Sequence, residues 1–435
     1  FFFKQKTAYE IKECDWSSDV CSSDLHQNSV ELKECLACGS NHLKLTLNLG
    51  EQPLANSYKD SPDQMQESFP LAINRCEKCY HVQLTHAVNP ELMFKEYLYV
   101  SGTSNTMRQH FDWFANFTKE YFNFANAARP MNVLDIGCND GTQLDYYKEK
   151  GLNTYGIDPA ENLYERSSKN HIVYKSFFGM DFVVNHPETY DIITAQNVFA
   201  HNYDPAKFLC AVRNIMNSDT LLFVQTSQAD MILNNEFDTI YHEHINFFNI
   251  NSMNELCKRK ELYLIDVVKC PLHGNSYIFV ISKNKSIRRQ AHIQNLIDME
   301  RKAGLMSEQT YIEYAKKCEE VVSELRNVSN DYNRFDVGFS VIGYGAAAKG
   351  MTLLNYSKIK LDYIIDDNPL KQGKYTPGSN VPIVSSDVLK DIQNGILFVP
   401  LAWNFYDEIR SRIKSVRDNK YDLFCKYFPK VEIKT

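Results

Sequence analysis

The chain has 435 residues, a formal net charge of −7, and 44% hydrophobic against 23% charged residues. That length suits two to four domains, each able to bury its own core. The mild acidity argues against nucleic acid as the main partner, which needs clustered Lys and Arg; no stretch reaches the ~20 consecutive apolar residues of a membrane helix.

In chain order, residues 1–25 (FFFKQKTAYEIKECDWSSDVCSSDL) carry SSDV and SSDL five residues apart, have no helix or strand period, and look like translated sequencing-adapter DNA. They are set aside from fold reasoning, which moves the net charge to about −5. Ten of the twelve cysteines remain. Cys138, Cys210, Cys257, Cys270, Cys318 and Cys425 are scattered through apolar stretches and read as buried thiols of a reducing cytoplasm, so a soluble cytoplasmic chain is expected, with a monomer favoured.

Residues 26–92 form a metal-binding domain by their spacing. Cys35 and Cys38 make one CxxC pair and Cys76 and Cys79 a second, with 37 residues between the pairs. Each pair places two thiolates on one tight knuckle, and two knuckles close a tetrahedral zinc shell with no position left for water, so the zinc is expected to be structural. A disulfide pair or a redox CxxC are the alternatives, less suited to a cytosolic chain.

Residues 93–285 open helically and then alternate. Strand 133–137, helix 142–150, strand 154–158, helix 161–168, strand 172–175, strand 191–196, helix 205–216 and strand 220–226 predict a doubly wound parallel sheet. Strands near 262–268 and 276–282 bring the count to seven, that of the common methyltransferase core. The segment VLDIGCNDG followed by GIDP is a strand, a glycine turn and a helix leading to an acid about 20 residues on. A dinucleotide turn places backbone N–H groups on a pyrophosphate, which carboxylates beside it would repel. Asp135 and Asp140 flank this turn, so it suits a cofactor with a cationic end and no phosphates. S-adenosylmethionine fits, with Asp135, Gly137, Cys138, Asn139 and Gly141 on the turn, Asp158 on the ribose, and Gln196 at a strand end facing the crevice.

Two segments beyond strand ends carry titratable groups: NVFAHNYDP with His201, and FDTIYHEHINFF with Tyr241, His242, Glu243 and His244. Such a cluster between apolar runs is hard to explain as a solvated face. A hydrogen-bonded structural cluster or a fragmentary metal site on His242 and His244 are alternatives; a proton-accepting histidine suits the pattern best.

After a charged helical connector over 286–335, residues 336–435 start another strand, glycine turn and helix in FSVIGYGAAAKGMTLLNY. Gly343 and Gly345 with Lys349 carry no acid and one cation, so Lys349 is a candidate for a diphosphate, against a purely structural turn. Asp366 and Asp367 end the next strand, but GxGxxxKG departs from GxGxxG and makes dinucleotide binding a weak inference.

Taken together, the two CxxC pairs, LANSY (54–58), YLYVSGTS (97–104), VLDIGCNDG, NVFAH, YHEH and HGNS (273–276) occur in the order seen in zinc-containing sugar C-methyltransferases, which the chain resembles over almost everything after residue 30. The resemblance implies an α/β chain: a small zinc-binding domain, a seven-stranded methyltransferase core and a C-terminal Rossmann-like domain facing a sugar nucleotide. It implies that His244 is the general base, that Tyr241 and Glu243 are its neighbours, and that His201 faces the sugar. Tyr97, Asn197, Asn275 and Lys349 fall on the substrate side, with Asn275 where the family has a glycine. The implied reaction removes a proton next to the ketone of a nucleotide-linked deoxysugar, dTDP-linked in expectation, and transfers a methyl group to that carbon without metal catalysis. An RNA- or protein-modifying methyltransferase would predict a basic zinc domain, whereas residues 31–92 hold eight acids and five bases. A non-catalytic binding module is the third reading.

Overall fold

A computed structural model describes residues 28–94, 100–103, 105–121, 129–227, 230–270, 276–334 and 338–435. Tyr97 and Asn275 lie outside these residues.

The central sheet has seven strands in the spatial order Tyr263–Cys270, Ser276–Ser282, Met216–Ser227, Tyr190–Gln196, Asn132–Ile136, Asn153–Ile157 and Ile172–Tyr174. The strands match the expected ones to within a few residues. One feature differs from an all-parallel sheet: Ser276–Ser282 runs antiparallel to both neighbours. Only five residues separate it from the preceding strand, and a parallel return needs a crossover of a dozen or more. The central strands are buried on both faces, which is why YDIITAQ reads as a nearly continuous apolar run. Ile192 and Phe223 pack with the helix Asn105–Tyr121 on one side. Ile193, Leu222 and Val224 pack on the other side with the helices Pro205–Ile215 and Ile250–Arg259.

Local chemistry explains the helix ends. Asp204 caps Pro205–Ile215 by accepting the Lys207 N–H, with proline in the first turn. Asn249 and Ser252 form a reciprocal capping box on Ile250–Arg259, a helix the sequence pattern did not reveal. The connector is two helices, Gln290–Lys302 and Glu308–Tyr332. Gly304, at φ +94°, ends the first in a left-handed conformation that L side chains rarely adopt.

The N-terminal sheet orders Leu43–Pro53, Ser68–Cys76, Val82–Leu84 and Asn246–Phe247, all antiparallel. Its last strand comes from the segment that follows YHEH. The C-terminal sheet orders Ile383–Val384, Tyr363–Ile365, Ser340–Tyr344, Ile396–Pro400, Leu423–Lys426 and Glu432–Lys434, parallel except for the final strand. A bridge between Lys59 and Tyr375 joins this last third of the chain to the first. Cys138, Cys257, Cys270, Cys318 and Cys425 are buried free thiols. Cys210 is buried as well. Among the described residues no helix is long and apolar enough to cross a membrane.

Candidate active site

The two CxxC pairs fold into matching knuckles. The Cys35 and Cys76 amides each donate to the carbonyl five residues on, Ser40 and His81, at 2.8 Å. The Gly39 and Tyr80 amides close the turns onto the Cys35 and Cys76 carbonyls at 2.8 and 3.0 Å, with φ of +73° and +60°. Tyr80 thus holds a left-handed turn that glycine holds in the first knuckle. The four sulfurs lie within 4.8 Å of one another; Cys35 to Cys79 is 3.5 Å and Cys38 to Cys76 3.6 Å. A tetrahedron with Zn–S bonds of ~2.3 Å has edges of about 3.8 Å, so the donor set fits zinc. The Cys38 and Lys78 amides point at the Cys35 and Cys76 sulfurs at 3.4 Å each, which favours thiolates.

The first glycine turn is built by backbone closure. Gly137, at φ +75°, donates to the Ile157 carbonyl at 2.7 Å, and a Cβ there would lie 2.1 Å from Val198. Asp158 accepts the Asn139 and Ala160 amides, each at 2.8 Å, so both its oxygens brace the turn. Burial raises its pKa above the usual carboxylate range. Asp135 is buried and accepts the Thr194 hydroxyl at 2.6 Å; burial pushes its carboxyl up to about 7 against that hydrogen bond. Asp140 pairs with Arg166 at 2.9 Å and accepts the Gly102 amide at 3.1 Å. The acids therefore shape the turn more than they face solvent. Cys138 is buried at the turn and Gly141, at φ +80°, starts the following helix.

Gln196 donates to Gln143 at 2.9 Å, and His110 Nε2 sits 3.2 Å from the Gln196 and 2.9 Å from the Gln225 side-chain oxygens. Asn197 takes φ +55°, a conformation asparagine tolerates, with its amide donating to the Gln225 carbonyl. Gln225 Nε2 and Thr226 Oγ1, at the carboxyl end of their strand, are buried and have no hydrogen-bond partner among the described residues. Unmet polar groups at that position are what a polar cofactor or substrate completes. Sequence reasoning missed His110, Gln143 and Gln225; nothing in their local pattern separates them from ordinary helix and strand residues.

His244 is oriented on both ring nitrogens. Nδ1 lies 3.2 Å from the Thr239 carbonyl, which can only accept, so the proton belongs on Nδ1. Nε2 then carries the lone pair, and the Tyr241 hydroxyl donates to it at 2.7 Å. The His201 ring stacks on His244 at 5.2 Å between centroids, and Phe94 stacks on His201 at 5.3 Å. Burial holds the His201 imidazole down to about 4, neutral near pH 7. Glu243 is buried and accepts from Asn56 at 2.5 Å. His242 points elsewhere: its ring meets Phe69 edge-on and its Nε2 lies 3.3 Å from the Phe69 carbonyl. It does not form a metal pair with His244.

The C-terminal turn repeats the first. Gly345, at φ +90°, donates to the Ile365 carbonyl at 2.7 Å, while Asp366 accepts the Ala346 and Asn368 amides at 2.7 and 2.8 Å. Lys349 lies 5.3 Å over the Trp403 ring, and its charge draws on Glu236 and Asp238, whose carboxyls burial otherwise pushes up. Trp403 donates to Asp238 at 2.8 Å. The cation expected on a diphosphate is thus set near Glu236 and Asp238, which lead into the YHEH segment.

Residues 35–94 match the family model described as "Putative zinc binding domain", 111–267 one described as "Methyltransferase domain", and 271–427 one described as "C-methyltransferase C-terminal domain". The chain is 28% identical over 400 residues to the C-methyltransferase NovU of Streptomyces niveus, covering 89% of this chain and 94% of that one. It is 32% identical over 104 residues to the ubiquinone biosynthesis O-methyltransferase of Glaesserella parasuis serovar 5 (strain SH0165), covering 22% of this chain and 44% of that one, less than half the relative's length. Among solved structures, magnesium protoporphyrin IX methyltransferase (ChlM) from Synechocystis PCC 6803 with bound SAM aligns at TM-score 0.33 and 10% identity over 42% of this chain and 86% of that one, a likeness too faint to add to the fold described above. With matches to a zinc-binding, a methyltransferase and a C-methyltransferase C-terminal domain in that order, the chain is a SAM-dependent methyltransferase that acts on carbon.

Proposed function

We propose that this C-methyltransferase acts on a nucleotide-linked keto-deoxysugar, dTDP-linked in the first instance, through base-catalysed enolate formation next to the ketone. The observation that carries the reading is the His244–Tyr241 pair: a basic Nε2 with its tautomer fixed by Thr239 and a hydroxyl 2.7 Å away. Bound at the first glycine turn, S-adenosylmethionine supplies an electrophilic methyl group. His244 Nε2 takes the proton from the carbon next to the carbonyl, and the electron pair of that C–H bond moves onto the ketone oxygen. Tyr241, released from Nε2 as it becomes protonated, or His201 donates to that oxygen where charge develops, the type of contact with the largest effect on such barriers. The enolate carbon would then bond to the methyl as the methyl–sulfur bond breaks with its electron pair left on sulfur, releasing S-adenosylhomocysteine, and this chain's part in that step would be to align acceptor carbon and cofactor. Glu243 supports the positive charge that His244 acquires.

Asn197 and Lys349, with Tyr97 and Asn275 outside the described residues, are the proposed acceptor-side positions, and the motif order of the sugar-methylating family supports the choice of acceptor. The test is an assay of protein lacking residues 1–25 with methyl-labelled S-adenosylmethionine and dTDP-, GDP- and CDP-linked 4-keto-deoxysugars, read by mass spectrometry. A methyl gained on carbon and lost in His244→Ala is the expected result. Cofactor binding without methylation of any sugar would overturn the choice of acceptor.

A further inference from the structure

The turn LANSY belongs to the zinc-binding domain by sequence, yet its side chains end in the other two domains. Asn56 Nδ2 donates to Glu243 Oε1 at 2.5 Å, across 187 residues of chain. Two residues on, the Tyr58 hydroxyl donates to the Ala346 carbonyl in the C-terminal glycine turn at 2.6 Å. Lys371 donates to the same carbonyl at 2.7 Å and lies 5.2 Å over the Tyr58 ring. The next residue, Lys59, makes the bridge with Tyr375. The turn is therefore pinned at its far end, and Asn56 is delivered to Glu243 from a fixed platform.

A buried carboxylate needs donors to keep its charge. Asn56 supplies an N–H without adding a charge, and so fixes one oxygen of the Glu243 carboxyl, next in sequence to His244. Burial and the nearby Asp366 and Glu243 push the Tyr58 phenol far above its ordinary range, so it remains a donor.

We infer that Asn56 is a positioning residue of the active site, contributed by the zinc-binding domain, which orients Glu243 while Tyr58 and Lys59 hold its turn against the C-terminal domain. The zinc-binding domain then has a part in turnover beyond folding.

The test compares Asn56→Ala and the isosteric Asn56→Asp with the parent enzyme, after zinc content and S-adenosylhomocysteine affinity are shown to be unchanged. The turnover arm rests on the function proposed above: with the keto-sugar that the parent methylates, kcat should fall about tenfold in Asn56→Ala and further in Asn56→Asp, where two carboxylates face each other, with the acceptor KM within about threefold. An unchanged kcat in both variants would overturn the inference. If the parent methylates no sugar of the panel, that reading has failed and hydrogen exchange decides this one. Faster amide exchange confined to residues 240–245 in Asn56→Ala, at unchanged melting temperature, upholds it, and exchange equal to the parent refutes it.

Discussion

The Arg259 guanidinium, at the end of a methyltransferase-domain helix, donates to the Ala37 carbonyl inside the first zinc knuckle at 2.8 Å. The same helix and its cap reach the second knuckle, Asn251 donating to the Cys79 carbonyl at 3.0 Å and Asn249 to the Tyr80 carbonyl at 2.7 Å. A Cβ on Gly39 would come within 3.0 Å of that guanidinium. The knuckles are thus docking surfaces as well as metal ligands.

Zinc removal should therefore reach beyond its own domain. Treatment with a strong chelator, or Cys76→Ser, is expected to speed amide exchange in residues 246–259 as well as 35–80 and to lower the melting temperature. Arg259→Ala should cost about 1 kcal/mol, the scale of one exposed hydrogen bond, and leave the zinc bound. Exchange confined to the knuckles would contradict the coupling.

His244→Ala is expected to lower proton exchange and methyl transfer by about 10²–10⁴-fold, the usual range for a general base, with cofactor affinity intact. Tyr241→Phe should lower them less, because the histidine retains its Thr239 contact and His201 can still donate to the developing oxyanion. Deuterium incorporation into the acceptor in the absence of cofactor isolates the proton-transfer step.

Gly137→Ala combines a left-handed φ with a methyl group 2.1 Å from Val198. A loss of about 2 kcal/mol or more is expected, visible as a melting temperature lower by several degrees. Adding Val198→Ala, which deletes the clashing methyl, should recover part of that loss but not the backbone component.

Asp135 sets a pH dependence. Its folded pKa, about 7, lies above the value of an unfolded aspartate. Its contribution to stability is therefore complete below pH about 4 and is lost as pH rises through 7, a difference on the order of 4 kcal/mol. Asp135→Asn removes that loss, so the melting temperature of the variant relative to the parent should rise between pH 5 and pH 8. A constant difference would show that the carboxyl does not titrate there.

Where chemistry is local, the sequence was legible. Two CxxC pairs sufficed because a knuckle needs only its four residues and a left-handed position after them. The first glycine turn was legible because Gly137, Asn139 and Asp158 brace one another within about 20 residues. The reversed strand Ser276–Ser282 was implicit in a five-residue connection. What escaped the sequence depends on partners far along the chain. The capping box at Asn249 was local but lacked the acidic residue that usually marks one. Lys349 carried a phosphate-like context in sequence, but Glu236, Asp238 and Trp403 surround it only after folding. Asn56 looked like an ordinary turn residue because Glu243 is 187 positions away.

The Lys59–Tyr375 bridge has a consequence for how the enzyme is made. A chain growing from its N-terminus can close its zinc knuckles early and wind its central sheet next, yet the turn that carries Asn56 gains its contacts with Ala346 and Tyr375 only once those residues have been made. Contacts of such long sequence separation form late. A chain short of Tyr375 would hold the central sheet without the bridge behind the Asn56 turn, so the support inferred for Glu243 would come only after the C-terminal glycine turn is made.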